Sequence, residues 1–203
     1  MQELLTDDEV VALCGATQSS WPLPLLTVAT DDRAVTAAAF RGLRALLVRR
    51  LATAGDGAHP AIEPGLAAIV TRAAAATRIV VAHVSSAERA GWAGAGVAAF
   101  LDDKGLILDV VNATGIHGLQ TADQAEAAHR VAAFVQSRFE PAADVTLSPD
   151  GCILLAASGQ EQVYRVRPGL VERGTVIATT AAFEVSDVAD PMAVETFLAR
   201  VLR

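Results

Sequence analysis

The chain has 203 residues, of which 52% are hydrophobic but only 4% aromatic, so its core must rest on Ala, Val, Leu and Ile. Its formal net charge is -7, and Lys104 is the only lysine among 16 basic residues, which excludes the basic footprint of a phosphate-backbone binder and so nucleic acid as a partner. Mean hydropathy is +0.38, yet no uninterrupted apolar run reaches the roughly 18 residues that read as a membrane span, so no membrane partner is expected.

The first residues, MQELLTDDE, are acidic and lack the basic and apolar regions of a signal peptide, so a cytoplasmic location is expected. Thr6-Asp7-Asp8-Glu9 has capping-box spacing, in which Thr6 accepts from a backbone N–H and Glu9 reaches back. The helix it opens is short, because Gly15 follows and Trp21-Pro22-Leu23-Pro24-Leu25 cannot be helical throughout. A second helix is predicted from about Asp32 to Leu51, with Val35, Ala39, Leu43, Leu46 and Leu47 as one apolar stripe. A third is predicted over Pro64 to Ala76, with Leu66, Ile69, Val70 and Ala73 on one face.

The period then changes from 3.6 toward 2. Arg78 to Val84 is a β-branched run of strand length. Val97 to Leu101 and Leu106 to Val111 flank Asp102-Asp103-Lys104-Gly105 and predict a hairpin turning at Lys104-Gly105. A short strand is expected at Ile116 to Leu119. Thr121-Ala122-Asp123-Gln124 reads as a second capping box opening a helix to about Arg138, with Ala128, Val131, Val135 and Phe139 inward.

The remainder is mainly strands: Val145 to Leu147 and Cys152 to Ala157 about a turn at Pro149-Asp150-Gly151, then Gln162 to Val166, a turn at Pro168-Gly169, Val176 to Thr180 and Ala182 to Val185. Asp190-Pro191 starts a last helix whose buried face is Val194, Phe197, Leu198 and Val201. Hairpin strands followed by a capped helix occur twice. The expectation is therefore an α+β domain over 1–203, an antiparallel sheet with helices on one face, in two quasi-symmetric halves, 1–140 and 141–203.

The chemistry-bearing residues do not assemble into a site by sequence. The Gly91–Gly96 loop leads from strand to strand and lacks GxxxxGK[ST], so it reads as a loop carrying Trp92 rather than a phosphate cradle. His59, His83, His117 and His129 show no metal-ligand spacing, and His117, between two glycines, is the best placed of the four. Ser85-Ser86 stands in HVSSAERAG, not GxSxG. Asp31-Asp32 and Asp102-Asp103 read as cap and turn carboxylates. Cys14 and Cys152 are expected as buried free thiols. No catalytic residue, cofactor or metal is expected; an enzyme would need a closed polar pocket around His117 or Ser85. In an aromatic-poor chain, Trp92 and Tyr164 are the candidate partner-binding anchors, while Trp21 is expected to fold over the sheet.

Leu5–Leu13 (LTDDEVVAL), Pro22–Leu25 (PLPL), Arg41–Leu51 (RGLRALLVRRL), Ile62–Val70 (IEPGLAAIV) and Thr77–Val84 (TRIVVAHV), in this order, give the chain a pattern that resembles the EspG family, cytosolic chaperones of actinobacterial type VII secretion. The resemblance covers the N-terminal two-thirds and implies an antiparallel sheet flanked by helices in two quasi-symmetric halves. It also implies a non-enzymatic role, binding the apolar tip of a PE–PPE heterodimer before export. Against that family the second half looks shortened. The alternative is a small regulatory or scaffold domain forming a homodimer through its sheet edge, for which an exposed apolar edge such as Val163–Val166 would speak.

Overall fold

In the computed structural model, which describes residues 2–55, 60–86, 92–138, 151–177 and 179–203, the described strands form one nine-stranded antiparallel sheet and a two-stranded ribbon. The chain opens with β1 (Glu3–Thr6), α1 (Asp7–Thr17) and α2 (Asp32–Val48), then the ribbon strands β2 (Ala52–Thr53) and β3 (Ala61–Ile62) and helix α3 (Pro64–Ala74). A four-strand meander follows: β4 (Arg78–Ser86), β5 (Gly96–Asp102), β6 (Gly105–Val111) and β7 (Ile116–Ala122), leading to α4 (Gln124–Gln136). A second meander repeats the plan with β8 (Gly151–Ala157), β9 (Val163–Arg167), β10 (Leu170–Ile177) and β11 (Ala182–Ala189), leading to α5 (Met192–Val201).

The spatial order is β1-β7-β6-β5-β4-β8-β9-β10-β11. Each meander runs outward from the antiparallel β4–β8 pair, where Ala82 stands opposite Leu155. Two four-strand-plus-helix units are thus arranged about one centre, and β1–β3 with α1–α3 precede the first of them.

Helices cover both faces of the sheet, not one. On the first face, Val131 and Val135 of α4 and Phe197 and Leu198 of α5 pack with Leu108, Leu155 and Val166. On the other, Val10 and Leu13 of α1 and Leu66 and Val70 of α3 pack with Phe100, Ile107 and Leu119. Coverage on both sides explains why the central strands β5 and β8 read as near-continuous apolar runs, as in sheets with two buried faces. Each fully buried Phe100 or Leu108 contributes about 1.5–3 kcal/mol. No helix among the described residues is long and apolar enough to cross a membrane.

Several local signals act as expected, and some shift. The Thr6–Glu9 capping box is present in full: Glu9 N–H donates to the Thr6 hydroxyl at 3.2 Å and Thr6 N–H to the Glu9 carboxylate at 2.9 Å. The second helix cap is Asp123, which accepts from Glu126 N–H at 2.8 Å, because Thr121 belongs to β7 and is held in its ladder. The β5–β6 turn is Asp103-Lys104, with Asp102 opposite Gly105, which takes φ +130°. β10 begins at Leu170, directly after the Pro168-Gly169 turn, earlier than the expected Val176. The expected strand Val145–Leu147, its turn at Pro149-Asp150 and the inward Phe139 lie outside the described residues.

Candidate partner-binding site

Three neighbouring pieces of the N-terminal third build one open apolar groove: α1, residues 19–30 (the strap) and α2. α1 lies on the sheet through Val10 and Leu13. Gln18, in the left-handed region at φ 53°, ends the helix and turns the chain into the proline-spaced strap. α2 then returns across α1. Ala38, Gly42 and Leu46, spaced four residues apart, form its buried line. At Gly42 the helices approach so closely that a Cβ would overlap the Asp8 carbonyl. Two ion pairs clamp the crossing: Arg41 binds Asp8 through two hydrogen bonds, 2.7 and 2.8 Å, and Arg49 reaches Glu9 at 2.7 Å.

This crossing rotates α2 away from the expected stripe. Of the expected stripe, Leu46 is buried and Leu43 packs against the core while lining the groove; Val35 and Leu47 are exposed, and Val35 and Ala39 line the groove together with Phe40. The facing surfaces are Val11, Ala12 and Gly15 of α1 and Trp21, Leu23 and Leu25 of the strap. The cavity measures about 690 Å³, and none of the described residues that line it is charged.

The strap is held by a buried ionic cluster. The His117 ring donates from Nδ1 to Asp109 and from Nε2 to Asp7, each at 2.8 Å. Asp7 also accepts from the Thr27 backbone N–H at 2.6 Å and the Thr27 hydroxyl at 2.8 Å. His117, Asp7 and Asp109 are each 1–2% exposed. Burial alone would lower the imidazole's affinity for its proton, but the hydrogen bonds and charges of the two carboxylates outweigh it and raise the pKa to about 9. Asp7 is lowered: burial pushes it up, and the bonds from His117 and Thr27 overcome that. Gly115, at φ +72°, passes so close to the Asp7 carboxylate that no side chain fits there. The cluster thus ties β6, β7, the start of α1 and the strap together. Trp21 of the strap rests edge-on to His117 at 5.9 Å and against Phe100 at 5.3 Å, as expected of a residue folded over the sheet.

With both ring nitrogens engaged, His117 has none left for a reacting group. Its carboxylates lie on opposite sides of the ring, so the three do not converge on one ion, and the described residues hold no metal-binding group of three or more. Ser85, 1% exposed, lies on β4, three places along the sheet from β7, which carries His117. Cys14 and Cys152 are buried thiols not joined in a disulfide, with burial raising both pKa values. Asp31 caps α2, and Asp102 binds Arg72 of α3 at 2.7 and 3.0 Å, so the carboxylate pairs contribute a cap and a helix anchor. His129 is exposed on α4, and His59 lies outside the described residues.

Of the two aromatic anchors, Trp92 is half-buried, stacked on His83 at 4.8 Å with its indole N–H donating to the Gly94 carbonyl. A Cβ at Gly96 would overlap its ring. Gly96→Ala is therefore expected to displace Trp92, costing about 1–3 kcal/mol and raising tryptophan quenching by acrylamide; unchanged quenching would show that the ring is not held there. Tyr164 is 5% exposed and packs on Phe197 at 5.1 Å, which places it in the core and not on the surface. Phe40 and Val35 in the groove, and the His117 partners Asp7 and Asp109, were not expected as site residues. Their signals were present: Phe40 and Val48 are apolar residues off the expected stripe, and Asp109 is a lone carboxylate inside an apolar strand.

Val163–Val166 is not an edge, since β9 lies between β8 and β10. The described sheet ends at β1 and at β11, whose Val185 and Val188 are 47% and 70% exposed.

No protein-family model and no curated protein matches the chain. Among solved structures, the type VII secretion system chaperone EspG5 of Mycobacterium tuberculosis, determined in complex with a PE25–PPE41 dimer, has a similar fold. The TM-score is 0.55 at 13% identity, over 100% of this chain and 96% of that one. The likeness therefore runs through the second half as well, where the sequence pattern suggested shortening.

Proposed function

We propose that the protein is a non-catalytic binding protein that holds a PE–PPE-type heterodimer in the cytosol before type VII export. The observation that carries this reading is a fold likeness extending over the whole chain to a chaperone solved with such a dimer. The closure of His117 between two carboxylates and the open apolar groove support binding over chemistry. Purification tests the PE–PPE type of the partner. The tagged chain, recovered from its native cells at moderate salt, is expected to retain a stoichiometric PE–PPE-type pair identified by mass spectrometry. Recovery of the chain alone, in cells where such pairs are abundant, would refute it.

Self-association through the sheet is less well supported. Pairing two β11 strands antiparallel about Val185–Ser186 would set Glu184 against Asp187 of the other copy, and like charges directly opposite destabilise a ladder. A register irregularity between Arg173 and Gly174 also breaks the β10–β11 pairing beside that edge.

A further inference from the structure

We propose that the groove between α1, the strap and α2 is a docking site for an amphipathic helix of a partner protein, with acidic residues along the helix edge that faces α2. The proposal stands whether or not the partner is of PE–PPE type.

The arginines of α2 divide into two sets. Arg41 is spent on Asp8, and Arg49, which caps the helix, on Glu9. Arg33 and Arg44 are exposed and make no ion pair among the described residues. They fall on one line with Ala37, Phe40 and Val48, at helical spacings of four, three, four and four. Phe40 is 67% and Val48 84% exposed, so this line continues the apolar surface of the groove onto the outer side of α2. A chain of net charge -7 thus presents these two cations, with the exposed Asp31 and Asp32 at the start of α2 before Arg33, beside a groove none of whose described lining residues is charged. Local reversal of sign of this kind selects for an acidic partner and disfavours a basic one.

The shape selects among occupants. The groove is open and walled by helices and the strap, so it offers apolar side chains and not a sheet edge to an incoming segment; helix-in-groove docking uses anchors at i, i+3, i+4 and i+7. A small apolar ligand seated inside would leave Val48, which lies beyond the groove lining, uncovered. A second copy of α2 would bring four arginines into one contact with no carboxylate on the stripe. Arg33 and Arg44 are 11 residues apart, about 16 Å along the axis, so the partner's acidic residues are expected at a similar separation.

Fluorescence anisotropy of synthetic helical peptides of about 22 residues, long enough to span that distance, tests this. The peptides share one Leu/Ala stripe and carry Glu, Gln or Lys along one edge. The Glu peptide is expected to bind the intact protein at least about tenfold more tightly than the Lys peptide, the Gln peptide falling between. The double variant Arg33→Glu, Arg44→Glu alters only exposed side chains and is expected to reverse that order, while Phe40→Asp weakens the Glu peptide about tenfold. Equal binding of all three, binding of none, or an unchanged order in the double variant would overturn the proposal. So would a protein dimer that Phe40→Asp dissociates and the Glu peptide does not compete with.

Discussion

His117→Ala is expected to destabilise the protein by about 3–5 kcal/mol, the range for breaking a buried ion pair by removing one partner. For a chain of this size that corresponds to a fall in Tm on the order of 10 °C. The substitution leaves Asp7 and Asp109, each 1% exposed, without the ring between them, and Asp109 has a second oxygen that already lacks a partner among the described residues. Asp7 keeps its two bonds from Thr27, so Asp109 bears the larger loss. Neutralising both acids in the same background, His117→Ala with Asp7→Asn and Asp109→Asn, is expected to recover part of the stability. Urea denaturation reads both. If the triple variant is less stable than the single one, the penalty is not one of uncompensated charge.

The same cluster sets an alkaline limit. The folded protein binds the imidazole proton more tightly than the unfolded chain, with a pKa of about 9 against an ordinary 6.5. Its stabilisation is therefore complete below about pH 6.5 and is lost as pH rises through 9, amounting to about 3 kcal/mol across that window. The buried thiols of Cys14 and Cys152 act in the same direction at higher pH, since burial raises them from 9.0. The difference between the wild type and His117→Ala isolates the histidine. It is expected to shrink between pH 6.5 and 9, and a difference independent of pH would exclude a charged His117. Because the cluster holds Thr27, and through it the strap, loss of the proton is also expected to loosen one wall of the groove.

Gly42→Val is the second large effect, at about 3 kcal/mol or more. A Cβ at this position would overlap the backbone carbonyl and carbon of Asp8, and backbone cannot swing aside as a flexible side chain would. Overpacking alone costs about 1–3 kcal/mol, and a β-branched residue adds further methyl groups in the same place. The two helices must separate, which lengthens the Arg41–Asp8 and Arg49–Glu9 contacts and opens the groove between them. Thermal unfolding together with peptide binding would show both losses. Retention of either at wild-type level would mean that the crossing tolerates more space than the packing indicates. At Gly15, by contrast, a Cβ would meet nothing within 4 Å, so Gly15→Ala is the matched control for the unfolding measurement alone, since Gly15 lines the groove.

Local structure was legible from the residues in order. The Thr6–Glu9 box, the Pro64 start of α3, the Pro168-Gly169 turn and the buried Val194, Phe197, Leu198 and Val201 of α5 are each written in residues within a few positions of one another. Their energetics are short-ranged, since a cap or a turn is satisfied by its own neighbours. The α+β class and the antiparallel sheet followed from the same signals. Which surfaces meet was settled only by the folded chain. α2 carries apolar residues around much of its circumference, so periodicity could not choose between Leu43 and Gly42 as the inward line; the close approach to Asp8 chose Gly42 and left Val35 and Phe40 facing the groove. Tyr164 reads as an anchor until α5 places Phe197 against it. His117, Asp7 and Asp109 lie as much as 110 positions apart in the chain and become one cluster only when β1 pairs with β7. Pairing order and face coverage depend on contacts between distant segments, whose energy no window of neighbouring residues contains.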